Sequence, residues 1–150
     1  MLAGPTAAVV AAGRACLARQ GVPDAVVANA GISIGVDTAA REDIDVIART
    51  FATNNVGLAA TFHPFIEGMR QRRSGTLVGI ASVGGIRGMP GHGGYCASKA
   101  AVISYCESLR GELRGTGVRV VTIAPGVRPV ESAVPSTVRC GPNSQPSVRT

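Results

Sequence analysis

The sequence predicts an α/β domain built on a parallel β-sheet. Three short apolar runs lack polar alternation, which is typical of buried strands, and segments with helical periodicity lie between them. Apolar residues make up 45% of the chain, but only 3% are aromatic and there is no tryptophan. We therefore expect a core of Ala, Val, Ile and Leu, with helices that lie close to the sheet.

The first half of the chain predicts a helix, a strand and a long helical segment, whose part after Asn54 can also be a separate helix. Residues 6–20 are Ala-rich, and a glycine and a proline that follow closely end this helix. Residues 25–28 form a short apolar strand. Helical spacing then covers about 39–70, with Asp37 and Thr38 as candidates for its N-cap.

The second half predicts a strand, a helix and a last strand. The strand at 76–81 runs into a loop with six glycines, and a helix follows at about 95–114. Residues 118–124 are the third strand. The sequence from 127 to 150 is rich in Pro, Ser, Thr and Arg without any period, which predicts an irregular tail. We therefore place the end of the domain at residue 126.

The connections between the strands predict an uneven sheet. Parallel crossovers are almost always right-handed, so strands in sequential order should carry all three helices on one face. We therefore expect the opposite face of the sheet to be bare.

The formal net charge of +6 raises the question of a nucleic-acid or membrane partner. The basic residues are scattered, and only Arg70, Arg72 and Arg73 cluster. This trio lies where the second helix should end, and arginines there meet the negative end of the helix dipole favourably. We therefore expect no nucleic-acid partner, although polyanion binding stays an alternative. No apolar run approaches the ~20 residues of a transmembrane helix, so we expect no membrane partner.

The cysteines indicate a reducing environment. They lie at positions 16, 96, 106 and 140, with no CxxC pair and no histidine at a metal-ligand interval. This distribution predicts free thiols, no metal site and a cytoplasmic location.

The main candidate for chemistry is the segment Tyr95-Cys-Ala-Ser-Lys99 in the third predicted helix. Side chains four residues apart lie on one face of a helix, so the Lys99 ammonium should lie near the Tyr95 phenol. A positive charge there stabilises phenolate, and such a tyrosine can exchange a proton with a hydroxyl or carbonyl. Taken alone, the spacing also fits a helix with a surface lysine and a half-buried tyrosine.

Polar or glycine-bearing turns end all three predicted strands. The turn Asn29-Ala30-Gly31 follows the first strand, Ser82 follows the second, and Pro125-Gly126 follows the third. In open parallel sheets, ligands bind at this carboxyl edge. Ser82 also has a purely local interpretation, in which its hydroxyl bonds a nearby amide at the start of a loop.

Together these motifs resemble the short-chain dehydrogenase/reductase family. The turn at 29–31, Asn54 in Asn-Asn-Val-Gly, Ser82, Tyr95 with Lys99, and Pro125-Gly126 follow the family's order and spacing. The resemblance covers about residues 6–126. It implies a doubly wound, Rossmann-like fold that is incomplete, because only its central to C-terminal strands and helices are represented. The chain is thus identified as a truncated member of the family.

The resemblance also implies a catalytic role for four residues. Tyr95 would be the general acid/base, and Lys99 would favour its phenolate and hold the nicotinamide ribose hydroxyls. Ser82 would hydrogen-bond the reacting oxygen of the substrate. Asn54 would hold a water that links Lys99 to solvent, with Asn55 as the adjacent alternative.

The implied cofactor is NAD or NADP, and the implied reaction is hydride transfer to or from a small alcohol or carbonyl compound. Asn29, Ala30 and Gly31 would line the adenosine side of the cofactor. A second group, Pro125, Gly126 and Val127, would flank the nicotinamide.

The sequence departs from the family pattern in the part that binds the cofactor pyrophosphate. No Gly-x-x-x-Gly-x-Gly turn precedes Asn29, so the pyrophosphate grip and the choice between NAD and NADP are not represented. We therefore expect the 150-residue chain alone to bind NAD(P) weakly or not at all and to be inactive. The alternative function is an inactive fragment that acts only as a dimerising or interaction module. The resemblance implies a homo-oligomer through the helices at about 52–72 and 95–114.

Overall fold

The computed structural model describes residues 5–126. In chain order the helices and strands are α1 (Pro5–Gln20), β1 (Ala25–Ala28), α2 (Asp43–Phe51), α3 (Gly57–Arg72), β2 (Gly75–Ile80), α4 (Gly93–Glu112) and β3 (Val118–Ile123). A π-helical turn, Ala52–Val56, joins α2 to α3, and a 3-10 turn, Val83–Gly85, follows β2. Val127 and the predicted tail at 127–150 lie outside the described residues.

The sheet has three parallel strands in the order β1-β2-β3. Its register places Val26 beside Leu77, and Leu77 beside Val120. Each apolar run of the sequence is a strand, with bounds that differ from the predicted ones by at most one residue. The prediction of an incomplete parallel α/β sheet in sequential order is therefore confirmed.

The core lies on one face of this sheet. Val26, Leu77 and Val120 are buried there, and α3 and α4 pack over them. The close approach of α4 depends on Gly79, because a Cβ at that position would lie 2.6 Å from Cys106 Sγ. Helix α1 packs on α3, so the helices add a second layer on the same side.

The opposite face of the sheet is bare. Val27, Val121 and Ile123 point away from the core and are 55%, 39% and 46% exposed. In the register Val27 lies beside Val78, which lies beside Val121, so these side chains form a continuous apolar strip. The described residues thus have the one-sided packing that the crossover rule predicts.

The helical segment predicted at 39–70 begins later than expected and consists of two helices, which is the alternative that its spacing left open. It begins at Asp43 after Glu42, so neither Asp37 nor Thr38 is its N-cap. Asp37 Oδ1 instead accepts a hydrogen bond from Ala39 N in a local turn. The π-helical turn then interrupts it at Ala52–Val56. In this turn Asn54 contacts residues that are distant in the sequence, which helical periodicity does not reveal.

The arginine cluster lies at the end of α3, as predicted. Arg73 adopts a left-handed conformation with φ 56°, which terminates the helix. Arg72 donates hydrogen bonds to the carbonyl oxygens of Val22 and Pro23, both 2.8 Å away, and lies 3.3 Å from a carboxylate oxygen of Asp24. This arginine therefore fastens α3 to the segment that leads into β1.

Candidate active site

The predicted site residues lie at the carboxyl edge of the sheet. The segments after the strands are joined by backbone hydrogen bonds, from Ala81 N to Ile123 O at 2.7 Å and from Val83 N to Pro125 O at 3.1 Å. The exits from β2 and β3 are thus held side by side.

Ser82 is buried where β2 gives way to the 3-10 turn. Its Oγ accepts a hydrogen bond from Gly84 N at 3.1 Å, so the local bond considered from the sequence does form. Because Oγ acts there as the acceptor, its proton stays available for a second partner. The same hydroxyl can therefore fix the turn and still donate a hydrogen bond to an oxygen in the cleft.

Tyr95 lies in the first turn of α4 and faces Ser82 across Gly84. A Cβ placed on Gly84 would lie 3.3 Å from Tyr95 Cε1 and 3.5 Å from Ser82 Oγ. The phenol ring and the hydroxyl thus border the same small space. Gly84 is buried, and its missing side chain leaves this approach open.

Lys99 lies one turn further along α4 and is only 5% exposed. Its Nζ lies 5.8 Å from the centroid of the Tyr95 ring and donates a hydrogen bond to Ile80 O at 2.8 Å. Burial lowers the pKa of Lys99 below its ordinary value of 10.5. The lysine is therefore buried beside the phenol rather than extended into solvent, which distinguishes it from the surface lysine of the alternative interpretation.

Asn54 is buried next to Lys99 and is 1% exposed. Its Oδ1 accepts a hydrogen bond from Ile32 N at 2.8 Å, and its Nδ2 donates to Ile32 O at 3.0 Å and to Ser98 Oγ at 2.8 Å. A Cβ on Gly31 would lie 3.3 Å from both Asn54 Oδ1 and Lys99 Nζ. Asn54 thus connects the loop after β1 to α4, close to the lysine.

Ser98 was not selected from the sequence, although it lies inside the Tyr95–Lys99 motif. It is completely buried, and its Oγ donates a hydrogen bond to Tyr95 O at 2.7 Å while accepting the one from Asn54. The neighbouring Asn55 donates from Nδ2 to Ser98 O at 2.8 Å, but its buried Oδ1 has no partner among the described residues. A serine in a helix commonly donates a hydrogen bond to the carbonyl oxygen three or four residues earlier, and this pattern could have identified Ser98 as a partner of the Tyr95 backbone.

The predicted cofactor residues that follow β1 and β3, as far as the structure describes them, lie at the surface. Asn29, Ala30 and Gly31 are exposed, and only Gly31 lies against the catalytic candidates. Pro125 and Gly126 are also exposed and lie next to Val83. Gly31 lies directly against Lys99 Nζ, because even a Cβ at this position would be only 3.3 Å from that atom.

Two further observations apply only to residues 5–126. They include no group of three or more side chains that could hold a metal ion. Within the same range, no helix is both long and apolar enough to cross a bilayer.

Comparison with known proteins relates this site to a family. The chain is 46% identical over 113 residues to an uncharacterized oxidoreductase of Myxococcus xanthus, covering 75% of this chain and 44% of the relative. It is 37% identical over 133 residues to estradiol 17-beta-dehydrogenase 1 of Rattus norvegicus, covering 89% of this chain and 38% of the relative. The chain therefore spans less than half the length of both relatives.

A solved structure and a family profile agree with these relatives. The crystal structure of a short-chain dehydrogenase from Streptomyces avermitilis superimposes with a TM-score of 0.75 at 28% identity. The superposition covers 82% of this chain and 46% of that one. The family profile described as short chain dehydrogenase matches residues 4–137. The protein thus belongs to the short-chain dehydrogenase family.

Proposed function

We propose that this chain carries the catalytic site of an oxidoreductase that transfers a hydride between NAD or NADP and an alcohol or carbonyl compound. The observation that supports this most is that Ser82 Oγ and the Tyr95 ring border one space over Gly84, beside buried Lys99. The relatives named as oxidoreductases and dehydrogenases support the same class of reaction.

In the reducing direction, Tyr95 Oη gives its proton to the carbonyl oxygen of the substrate, and Ser82 Oγ donates a hydrogen bond to that oxygen. The chemistry that the nicotinamide supplies when bound is hydride transfer at the adjacent carbon. The Lys99 ammonium stabilises the phenolate that this leaves on Tyr95. In the oxidising direction, the phenolate takes the proton of the alcohol.

The surface residues after β1 and β3 would hold the cofactor. We assign the ribose hydroxyls to Lys99, and the nicotinamide to the exposed Pro125-Gly126 segment followed by Val127. Asn29 and Ala30 would line the adenosine side. The residues that hold the pyrophosphate and choose between NAD and NADP are not assigned.

Asn54 would hold the water between Lys99 and solvent. Both Nδ2 protons are used in hydrogen bonds to Ile32 O and Ser98 Oγ, so the side-chain nitrogen cannot donate to it. The backbone carbonyl of Asn54, in the π-helical turn, and its Oδ1 are the atoms left for this water.

The test uses a hybrid protein, because the chain spans less than half of its relatives. Residues 5–126 replace the matching segment of the Myxococcus xanthus oxidoreductase, and carbonyl-dependent oxidation of NADH and NADPH is followed. Tyr95→Phe should lower kcat/KM by about 100-fold or more while cofactor affinity stays unchanged, because the phenol acts on the substrate proton. The chain offers a matched control in Tyr105→Phe, since Tyr105 lies on α4 but is 39% exposed. An active Tyr95→Phe hybrid would remove the proposed role.

The bare sheet face favours a second candidate, an interaction module without activity. Val27, Val121 and Ile123 offer an apolar surface on the described part of the chain. In this case the hybrid protein would have no activity that depends on Tyr95, and the purified 150-residue chain would associate, through this face or through α3 and α4. We further propose a cytoplasmic location, which the free thiols of Cys16, Cys96 and Cys106 support.

A further inference from the structure

The outer edge of β3 is open in the part of the chain that the structure describes. The order β1-β2-β3 puts β3 at one side of the sheet, and it has six residues against the four of β1. A strand edge offers unpaired N–H and C=O groups to any other strand, and proteins protect such edges by keeping them short or by placing charged side chains on them. The edge of β3 is the longer of the two and therefore the one that needs such protection.

The ladder between β2 and β3 determines which groups face outward. Ala81 N donates a hydrogen bond to Ile123 O, so the backbone of Ile123 faces β2. Successive residues of a strand direct their backbone groups to opposite sides. The N–H and C=O groups of Val120 and Thr122 therefore face the open edge.

Two side chains of the same chain occupy this edge. Arg110 of α4 donates from Nε to Val120 O at 3.1 Å and from Nη2 to Thr122 Oγ1 at 3.3 Å. At the start of the strand, Val118 N donates to Thr116 Oγ1 at 3.3 Å. The guanidinium thus lies at the middle of the edge, where a hydrogen bond from a further strand would otherwise form.

A simpler interpretation is that Arg110 only meets the negative end of the α4 dipole, because it lies in the last turn of that helix. Its hydrogen bonds do not favour this interpretation, since both go to β3. Arg119 adds a second positive charge to the strand, and it donates to Thr76 Oγ1 at 3.2 Å on the bare face of the sheet. An approaching strand would thus meet a guanidinium group on each face of β3.

We propose that Arg110 protects the open edge of β3 from pairing with a second copy of this chain. Two-fold dimers are the commonest assemblies, and a two-fold axis normal to the sheet would pair two β3 strands antiparallel. Pairing around Val120 would displace the guanidinium from Val120 O and bring the two Arg110 side chains together. The lost hydrogen bond and the repulsion between like charges both disfavour this dimer.

The test compares two variants of the 150-residue chain that each remove one positive charge. Arg110→Met keeps an unbranched apolar stem, so it preserves the packing of that stem, and Arg114→Met makes the same change at an exposed position beyond the end of α4. Both variants also carry Val27→Lys, which places a charge on the bare face at β1, away from the edge of β3. In analytical ultracentrifugation, Arg110→Met should lower the Kd of self-association about tenfold or more, whereas Arg114→Met should leave it unchanged.

Amide hydrogen exchange identifies the surface that associates. The outward-facing amides of Val120 and Thr122 should exchange more slowly as the concentration of Arg110→Met rises, because a paired strand protects them. The amide of Leu77, in the central strand, is the internal reference. A variant that merely loosens the fold would exchange faster at all three amides and at every concentration, and this result would count against the proposal.

Three further results would overturn the proposal. The first is equal association of Arg110→Met and Arg114→Met. The second is association of Arg110→Met without protection of Val120 and Thr122, which would assign the contact to another surface. The third is protection of these two amides in the unmodified chain at low concentration, which would mean that another segment of the same chain already pairs with β3.

Discussion

Replacing Asn54 by alanine should destabilise the chain far more than the same change at Asn55. The Asn54 side chain makes three hydrogen bonds, two with the backbone of Ile32 and one with Ser98 Oγ. Each bond contributes about 1 kcal/mol net, and a buried group left without a partner costs more than this average. We therefore expect a loss of about 3 kcal/mol in the free energy of unfolding. Against a typical total of roughly 5–15 kcal/mol, that loss is large.

Asn55 is the matched control because it lies in the same π-helical turn. Its side chain makes one hydrogen bond, to Ser98 O, and its truncation also removes a buried oxygen that has no partner among the described residues. The two effects oppose each other, so Asn55→Ala should change stability by no more than about 1 kcal/mol. Urea unfolding followed by circular dichroism measures both variants. Equal losses for the two asparagines would refute the assignment of Asn54 as the bridge to α4.

Three further predictions concern a buried charge, two glycines and the bare face. Burial lowers the pKa of Lys99, so its side chain, the only lysine in the chain, should titrate below 10.5 in an NMR experiment with 13C-labelled lysine. Between the lowered pKa and pH 10.5, the unfolded chain keeps the Lys99 proton that the folded chain has lost, so this group makes the free energy of unfolding rise with pH in that range. A measured pKa of 10.5 or above would contradict the burial of Lys99. Gly79→Ala should cost about 1–3 kcal/mol, because its Cβ would lie 2.6 Å from Cys106 Sγ, whereas Gly111→Ala on open surface of α4 should stabilise the helix by up to about 1 kcal/mol. Thermal unfolding compares the two, and equal effects would contradict the close packing of α4 on β2. Val121→Lys should reduce concentration-dependent association in analytical ultracentrifugation if the bare face is the contact; association that persists would point to another surface.

The strands and the sheet order were predictable because they follow from local apolar runs and a chain-connection rule. The spacing allowed for a second helix after Asn54, but the π-helical turn was not predictable, because Asn54 there bonds to Ile32 and Ser98, 22 and 44 residues away. A periodicity argument sees only neighbours along the chain. The start of α2 at Asp43 has a similar origin, since Asp43 Oδ2 accepts a hydrogen bond from Asp37 N outside the helix.

The site was predictable where helical spacing determines proximity. Tyr95 and Lys99 are four residues apart, and their meeting follows from the helix alone. The approach of Ser82 to Tyr95 required the sheet edge, which the strand ends indicated. The position of Gly84 depends on the backbone path of the glycine-rich loop, and its composition does not encode that path.

The central claim is that Ser82 and Tyr95 act on one substrate oxygen, and a double-mutant cycle in the hybrid protein tests it most directly. The measured quantity is kcat/KM for carbonyl reduction by the unmodified hybrid, Ser82→Ala, Tyr95→Phe and the double variant. When two groups act as a unit, the losses of kcat/KM that their substitutions cause do not multiply. The double variant should therefore be nearly as active as the less active of the two single variants. Losses that multiply in full would mean that the two residues act independently, and an unimpaired Tyr95→Phe variant would contradict the account altogether.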